Sequence, residues 1–478
     1  MAATVSDPVA MPELVGDAPS FTPAEVAART GGTLVRRGSR SIRGAAVDSR
    51  RVGPGELYVA LPGERTDGHE HLAAAAAAGA AGLLVTADLG PEVLDGLGDV
   101  TVVRVGDGLA ALHALATAWR SRYELPVVGV TGSVAKSSTK EAIATLLAVD
   151  RTVLRNEGNE NNEIGLPLTV LRLGPEHEIA VLEMGMYVGG EISDLCRIAR
   201  PSIGVVTAVR PIHLSRAGTI EAIENAKAEL VEALPIDGLA VLNADDTRVR
   251  GMAGRTRARS VTYGFSEGAG IRATSIASLA FEGMSFELVI GDERRAARLP
   301  RLGRHAVHNA LAAVAVAREA AISLDAIVAG LARPWSLPHR SAVLQVDGFV
   351  VIDDTYNAGP DSMIAALDSL AELPGRHVAV LGPMAELGEL TEEAHAAVGR
   401  RAGAVADLLV AVGEAGATLA TAALEARLEA AALVRVADAD EALALLPGLL
   451  RPGDVVLIKA SRAAALESVA EGLVEAYR

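Results

Sequence analysis

The segment from Pro126 to Leu147 constrains the fold more than any other part of this 478-residue chain. A short apolar run, Pro126–Val130, precedes the loop T-G-S-V-A-K-S-S-T-K (131–140), and a helical pattern runs from Ser138 to Leu147. A buried strand, a glycine-containing loop and a helix in this order predict a nucleotide-binding α/β domain on a parallel sheet. Taken alone, the loop leaves open a second interpretation, an ordinary serine-capped helix after a strand.

The loop carries the residue types that phosphate binding requires. Backbone N–H groups at the helix start can surround a triphosphate, and Lys136 adds a positive charge at its β and γ oxygens. The Ser137 hydroxyl is of the kind that holds Mg²⁺ in such loops. Ala135 departs from the pattern, because glycine normally precedes the lysine and permits positive φ and close approach of the backbone. The candidate nucleotide-contacting residues are Thr131, Gly132, Ser133, Ala135, Lys136, Ser137 and Ser138.

Three blocks divide the chain. Residues 1–124 contain short strand-like runs and end in a helical run. Residues 125–340 alternate strands with helices, then show period-two alternation from Ser260 to Pro300, which predicts antiparallel strands. Residues 341–478 alternate strand-like and helical runs, as in a doubly wound domain. We therefore predict an α/β protein with an N-terminal α/β domain, a central P-loop ATPase-like parallel sheet carrying a small antiparallel sheet, and a C-terminal Rossmann-like domain.

Composition argues against several classes of function. The formal net charge of −16 argues against non-specific nucleic-acid binding, which needs a basic face. Cys196 is the only cysteine, which rules out an internal disulfide, fits a reducing compartment and indicates a buried apolar residue rather than a nucleophile. No apolar run is long enough to span a bilayer, and the N-terminus lacks the pattern of a signal peptide. We expect a cytoplasmic protein without a nucleic-acid partner or an integral membrane segment.

Further polar residues follow predicted strands. Glu183 ends a buried apolar run, and His213 lies a few residues after the strand-like run Ile203–Thr207. Because the carboxyl ends of parallel strands meet at one edge of a sheet, a carboxylate and an imidazole there can hold Mg²⁺ on a nucleotide. Taken singly, each of these residues is more often structural, and Lys227 in A-K-A-E-L is typical of a solvated helix lysine.

Segments in all three blocks share a pattern with one known family. They are D-S-R-R-V-G-P-G-E-L-Y-V-A-L-P-G-E-R-T-D-G-H (48–69), G-N-E-N-N-E-I-G-L-P-L-T (158–169), L-E-M-G (182–185), G-E-I (190–192), D-D-T-Y-N-A (353–358), L-G-P-M-A-E-L-G-E (381–389) and His395. In this order they resemble the Mur ligase family over nearly the whole chain. The first segment is similar to the family's uridine-nucleotide-binding domain, and the last three are similar to its C-terminal domain.

The resemblance implies an ATP-dependent ligase that forms a carbon–nitrogen bond. In that family ATP phosphorylates a terminal carboxylate, an amine attacks the acyl phosphate, and a tetrahedral intermediate collapses. The resemblance implies that Lys136, Lys227 and His213 are catalytic, that Mg²⁺ is bound, and that Lys227 is carbamylated. The implied metal ligands are Ser137, Glu183, His213 and Lys227. The implied nucleotide contacts outside the loop are Asn309, Arg340, Asp354 and Tyr356, and the implied substrate contacts are Ser49, Arg50, Asn161, Asn162, Asn357 and Lys459.

The resemblance also implies the substrates, a UDP-linked muramoyl tripeptide and D-alanyl-D-alanine in peptidoglycan synthesis, and a monomeric chain. The positions that depart from the family's motifs are Ala135, Ala208, Arg210, Ala306, Gly359, Pro383 and Ala460. They fall around the nucleotide and the incoming amine, so two alternatives stay open. One is a paralogous ligase with the same chemistry and another amine or carboxylate. The other is a catalytically weak pseudo-ligase that binds a UDP-sugar.

Overall fold

The computed structural model describes residues 19–63, 66–211, 218–335 and 337–477. These residues separate into two compact units. One contains the chain up to Leu125 together with Glu163–Glu178, and the other contains Pro126–Asn162 and the chain from Ile179 onward. His213, which the sequence predicts to be a metal ligand, lies outside the described residues. In the described parts of the chain, no helix is both long and apolar enough to cross a membrane.

The first unit is built on a mostly parallel sheet. Its strands are β1 Thr33–Arg36, β2 Ala45–Ala46, β3 Leu57–Val59, β4 Gly82–Val85 and β5 Thr101–Arg104. The order across the sheet is β1-β5-β4-β3-β2, and only β1 runs antiparallel to its neighbour. The helices of this unit are Pro23–Thr30, Leu72–Ala77, Pro91–Gly96, Gly108–Arg120 and Gly165–Val170. The alanine-rich segment before β4 forms the short helix Leu72–Ala77, which leads into this buried strand.

The second unit begins with the sheet that carries the phosphate loop. Its strands are β6 Val127–Thr131, β7 Val153–Arg155, β8 Ile179–Glu183, β9 Ile203–Val206, β10 Leu239–Asn243, β11 Arg259–Gly264, β12 Ile271–Ser278, β13 Met284–Ile290 and β14 Glu293–Leu299. Their order is β14-β13-β12-β11-β10-β9-β6-β8-β7. The accompanying helices are Lys136–Leu147, Glu191–Ala199, Ile220–Glu232, Thr247–Gly251, Arg304–Glu319 and Leu324–Leu331. β6, β8, β9 and β10 are buried at every residue, as expected for parallel strands covered by helices on both faces, whereas the edge strand β7 is buried only at Leu154.

The prediction that the strands from Ser260 to Pro300 are antiparallel is partly wrong. β12, β13 and β14 are antiparallel, as the alternation predicts. β11, however, runs parallel to both β10 and β12. Period-two alternation reports that one face of a strand is buried and the other is not, and it does not report strand direction.

A third sheet forms the C-terminal part of the second unit. Its strands are β15 Ala342–Val346, β16 Phe349–Asp353, β17 Arg376–Leu381, β18 Leu408–Val412, β19 Leu433–Val436 and β20 Asp454–Lys459. The order is β15-β16-β20-β17-β18-β19, with only β15 antiparallel to its neighbour. The helices are Pro360–Ala371, Thr391–Val405, Gly416–Glu425, Ala439–Leu449 and Glu467–Ala476. This arrangement confirms the doubly wound domain, and the sequence missed only the half-buried edge strand β15.

Candidate functional site

The phosphate loop joins β6 to the helix Lys136–Leu147 through two residues with positive φ. Gly132 has φ 144°, and a Cβ there would collide with Thr207 Oγ1, so glycine is required. Ala135 has φ 65° and ψ 4°, in the left-handed region that normally favours glycine. The alanine therefore adopts the backbone conformation that the expected glycine would have.

Free backbone donors gather at the start of this helix. The first N–H groups of a helix have no acceptor within it, and no side chain caps this helix at Ala135. They create a partial positive charge that attracts anions. Ser133 instead contacts the residues that follow β9. Its N–H donates to Ala208 O at 2.7 Å, and its Oγ contacts the backbone of Arg210. The donors available to a phosphate are thus those near Lys136–Ser138.

The Lys136 ammonium lies over the loop. Its Nζ donates to Ser133 O at 3.3 Å, a long contact that a phosphate oxygen could replace. Burial lowers the pKa of Lys136, with Glu183 opposing that shift and Arg340 adding to it. These three charged groups of the prediction therefore lie close enough to influence one another.

Glu183 stands at the carboxyl end of β8 with one oxygen held and the other free. Asn161 Nδ2 donates to Glu183 Oε1 at 2.7 Å. Glu183 Oε2 is buried and has no hydrogen-bond partner among the described residues. A buried carboxylate oxygen without a partner is costly, and a bound cation would remove that cost. The described residues hold no group of three acidic, histidine or cysteine side chains arranged for a metal.

Lys227 is buried in the helix Ile220–Glu232 rather than solvated, so the solvated-helix interpretation is wrong. Burial lowers its pKa well below the usual value, and the nearby Lys136 lowers it further. Glu183 and Glu229 oppose the shift without cancelling it. This environment favours the neutral amine of Lys227 over its ammonium form, and a neutral amine is a nucleophile.

A second group of polar residues lies at the carboxyl end of β10. Asn243 Nδ2 donates to Thr207 O at 2.7 Å, and its Oδ1 accepts from Asp245 N at 2.9 Å and lies 3.1 Å from His308 Nε2. Asn309, on the same helix as His308, accepts from Thr139 Oγ1 at 3.3 Å. Asn309 is among the residues predicted from the sequence, whereas Asn243 and Asp245 are not. The signal was present, because L-N-A-D-D (242–246) lies at the carboxyl end of a buried strand, as Glu183 does.

The predicted C-terminal residues come together at the carboxyl ends of β16 and β20. The Arg340 guanidinium lies 3.8 Å from the ring centroid of Tyr356, in cation–π geometry. Lys459 Nζ lies 2.6 Å from Asp354 Oδ2 and donates to Asn357 O at 2.9 Å. The structure thus brings together the five contact residues that the resemblance implies from Arg340 onward.

Arg210 is one of the departures from the family motifs, and it joins the central and C-terminal parts of the second unit. It contacts Asp246 Oδ2 at 2.6 Å and Asp361 Oδ2 at 2.7 Å. Its backbone N–H donates to Ser133 Oγ at 2.9 Å, so the phosphate loop is linked to this ion pair. The departure therefore has a structural role of its own.

The predicted residues of the first unit are more exposed. Arg50 donates to Asp48 Oδ1 and Oδ2 at 2.9 and 2.7 Å, and this contact lowers the pKa of Asp48 to about 2. Ser49 between them is half-buried.

Two predicted residues of the second unit differ in exposure. Asn162 is exposed. The Cys196 thiol is buried and its pKa is raised to about 12, in agreement with a structural cysteine.

The sequence matches family descriptions along most of its length. "Mur ligase family, catalytic domain" covers residues 41–120, "Mur ligase middle domain" covers 130–317, and "Mur ligase, glutamate ligase domain" covers 339–462. A UDP-N-acetylmuramoyl-tripeptide–D-alanyl-D-alanine ligase of Mycobacterium tuberculosis is 42% identical, covering 89% of this chain and 91% of that protein. The Escherichia coli protein with the same name is 36% identical over 90% and 93% of the two chains.

Solved structures agree with these matches. MurF from Acinetobacter baumannii superposes with a TM-score of 0.85 at 31% identity, covering 96% of this chain and 99% of that one. MurF ligase from Thermotoga maritima in complex with ADP superposes with a TM-score of 0.78 at 28% identity, covering 91% and 97%. Both likenesses extend over all three sheets of the chain.

Proposed function

The chain belongs to the Mur ligase family, and from this we propose that it joins D-alanyl-D-alanine to UDP-N-acetylmuramoyl-tripeptide at the expense of ATP. The observation that carries the proposal is the phosphate loop. Ala135 adopts there the left-handed backbone conformation expected of a glycine, and Lys136 lies close enough to Glu183 for their charges to interact. Relatives that bear the name of this activity match about nine-tenths of the chain, which supports the choice of substrates.

The reaction begins with transfer of the γ-phosphoryl group of ATP to the tripeptide's terminal carboxylate, which yields an acyl phosphate and ADP. Negative charge accumulates on the transferring oxygens, and the Lys136 ammonium with the N–H groups at the helix start offsets it. The neutral amine of D-alanyl-D-alanine then attacks the acyl carbon. The tetrahedral intermediate expels phosphate, the amine nitrogen loses its proton, and an amide bond remains.

Magnesium would supply charge neutralisation for the phosphate oxygens. Glu183 is suited to hold it because Oε2 is buried and lacks a partner in the described residues. Ser137 stands at the helix start beside Lys136, and its hydroxyl is a further oxygen ligand of the kind that Mg²⁺ prefers. We include His213 in the same proposal, on the resemblance alone.

Carbamylation of Lys227 would provide a second anionic ligand. A neutral amine attacks CO₂, the nitrogen–carbon bond forms, and a proton leaves, which turns a basic side chain into a carboxylate. The lowered pKa of Lys227 favours this reaction, since an ammonium cannot attack. We expect Lys227→Ala to lose turnover and to regain part of it in acetate, whose carboxylate can enter the vacated space. Lys136→Ala is the matched control that acetate should not rescue, and full activity of Lys227→Ala would exclude the role.

Phosphate release by the purified protein tests the whole proposal. Release should require ATP, Mg²⁺, UDP-muramoyl-tripeptide and D-alanyl-D-alanine together. Turnover with another dipeptide or amino acid, but none with D-alanyl-D-alanine, would identify a paralogous ligase. Absence of ATP binding in calorimetry would identify a pseudo-ligase.

We further propose that the chain acts as a monomer in the cytoplasm. Gel filtration under turnover conditions measures the oligomeric state.

A further inference from the structure

One charged residue of the phosphate-loop helix has no part in the reaction described above. Lys140 lies one turn after Lys136, and its side chain is only 1% exposed. Its Nζ donates to Asn156 O at 2.6 Å and lies 3.1 Å from Glu141 Oε1. Burying an ammonium is costly unless it is paired and hydrogen-bonded, so this position of Lys140 calls for a physical reason.

Asn156, the residue that Lys140 holds, continues the pairing of β7 with β8 by means of its side chain. The backbone ladder between the two strands ends at Arg155, which pairs with Val181. Beyond it, Asn156 Oδ1 accepts from Glu183 N at 2.9 Å, and Asn156 Nδ2 donates to Glu183 O at 3.1 Å. The side-chain amide thus replaces a strand partner and fixes the backbone of Glu183.

Asn161 fixes the side chain of the same glutamate. Its Nδ2 donates to Glu183 Oε1, while its backbone oxygen accepts from Gly185 N at 2.8 Å. A Cβ at Gly185 would lie 2.8 Å from Asn161 Oδ1, so the glycine of L-E-M-G lets the asparagine approach. Asn156 Nδ2 also donates to Glu160 O at 2.8 Å, which closes the loop between the two asparagines.

We propose that Lys140, Asn156 and Asn161 form a relay that orients Glu183, leaving Oε1 occupied and Oε2 directed to the metal. The proposal rests on the magnesium site proposed above. Lys140 is a positioning residue in it, because its ammonium contacts the Asn156 loop and acts on the metal through that loop. The relay also gives Asn161 a role other than the substrate contact that the resemblance implies.

The relay makes the metal affinity of the site depend on a residue that touches neither metal nor nucleotide. Replacing groups that orient a metal ligand typically weakens metal binding roughly 10- to 100-fold. The phosphate-loop donors near Lys136 do not depend on Asn156, so ADP binding without metal should be preserved. A residue of purely structural importance would weaken both kinds of binding together.

Calorimetry of ADP binding over a range of Mg²⁺ concentrations tests the relay. Lys140→Met should raise the Mg²⁺ midpoint about 10- to 100-fold and leave metal-free ADP affinity within about twofold of wild type. Asn161→Ala and Gly185→Ala should shift the midpoint in the same direction, and they serve if Lys140→Met does not fold. Arg120→Met is the matched control, because Arg120 is also a buried cation that donates to backbone carbonyls, those of Tyr123 and Leu125.

The outcomes separate the relay from the proposed function. An unchanged Mg²⁺ midpoint in these variants, with wild-type ADP binding that depends on Mg²⁺, would overturn the relay alone. Equal loss of metal-free and Mg²⁺-dependent binding would also overturn it, since that is the pattern of general damage. Wild-type ADP binding that ignores Mg²⁺ would overturn the metal site and the relay with it.

Discussion

Replacing Ala135 by glycine tests the conformation of the phosphate loop directly. Ala135 has φ 65°, and a left-handed residue with a Cβ costs about 1–2 kcal/mol. Glycine removes that strain, but it also increases the conformational entropy of the unfolded chain. That increase lowers the free energy of unfolding by about 0.4–1 kcal/mol. The free energy of unfolding should therefore rise by about 0.5–1 kcal/mol in Ala135→Gly.

The chain offers a matched control for this substitution. Ala321 also has a left-handed backbone, φ 60°, and it follows the helix Arg304–Glu319 in the same unit. Ala321→Gly should gain a similar stability through the same relief of strain, because glycine is common at helix C-termini. Only Ala135→Gly should in addition bind ATP more tightly, since only its methyl group stands at the start of the phosphate-binding helix.

Urea unfolding followed by circular dichroism measures the stability change, and calorimetry measures the ATP affinity. A rise in stability for Ala321→Gly with none for Ala135→Gly would refute the left-handed strain at the loop. Equal stabilisation without a change in ATP affinity would show that the Ala135 methyl group does not crowd the phosphates. In that case the loop has accommodated alanine without loss of ATP affinity.

Other expected outcomes concern charged and titratable groups. Lys136→Ala should abolish phosphate release while the protein stays folded, and an unchanged rate would refute the placement of the phosphate site. Burial lowers the pKa of His305 from 6.5 to about 4. As the pH falls below 6.5, His305 takes up a proton in the unfolded chain, whereas in the folded chain it does so only near pH 4. The free energy of unfolding should therefore decrease as the pH falls through that range. His305→Leu should show a shallower pH dependence in urea unfolding, and an equal slope would count against a neutral buried imidazole. Cys196, whose thiol pKa is raised to about 12, should resist iodoacetamide at pH 8 until urea is added, and rapid labelling of the folded protein would contradict its burial.

Local patterns were sufficient for much of the site. The strand–loop–helix around Lys136 is specified by residues that are neighbours in the chain, and the same is true of Glu183 at the end of β8. Such features depend on short-range sterics, hydrogen bonding and hydrophobic periodicity, which the order of residues displays. The edge strands β1 and β15 were missed because strands that are only half buried leave weak apolar patterns.

The sequence by itself determined the family, the three-domain α/β fold and the strand–loop–helix around Lys136. Only the tertiary structure decided how distant residues act on one another. It paired Lys140 with the Asn156 loop, placed Asn161 on Glu183, and removed Lys227 from solvent. The physical reason is that burial, pKa and hydrogen-bond partners depend on which segments pack together. In a parallel sheet, neighbouring strands such as β6 and β8 are separated by dozens of residues, so no local pattern records their contacts.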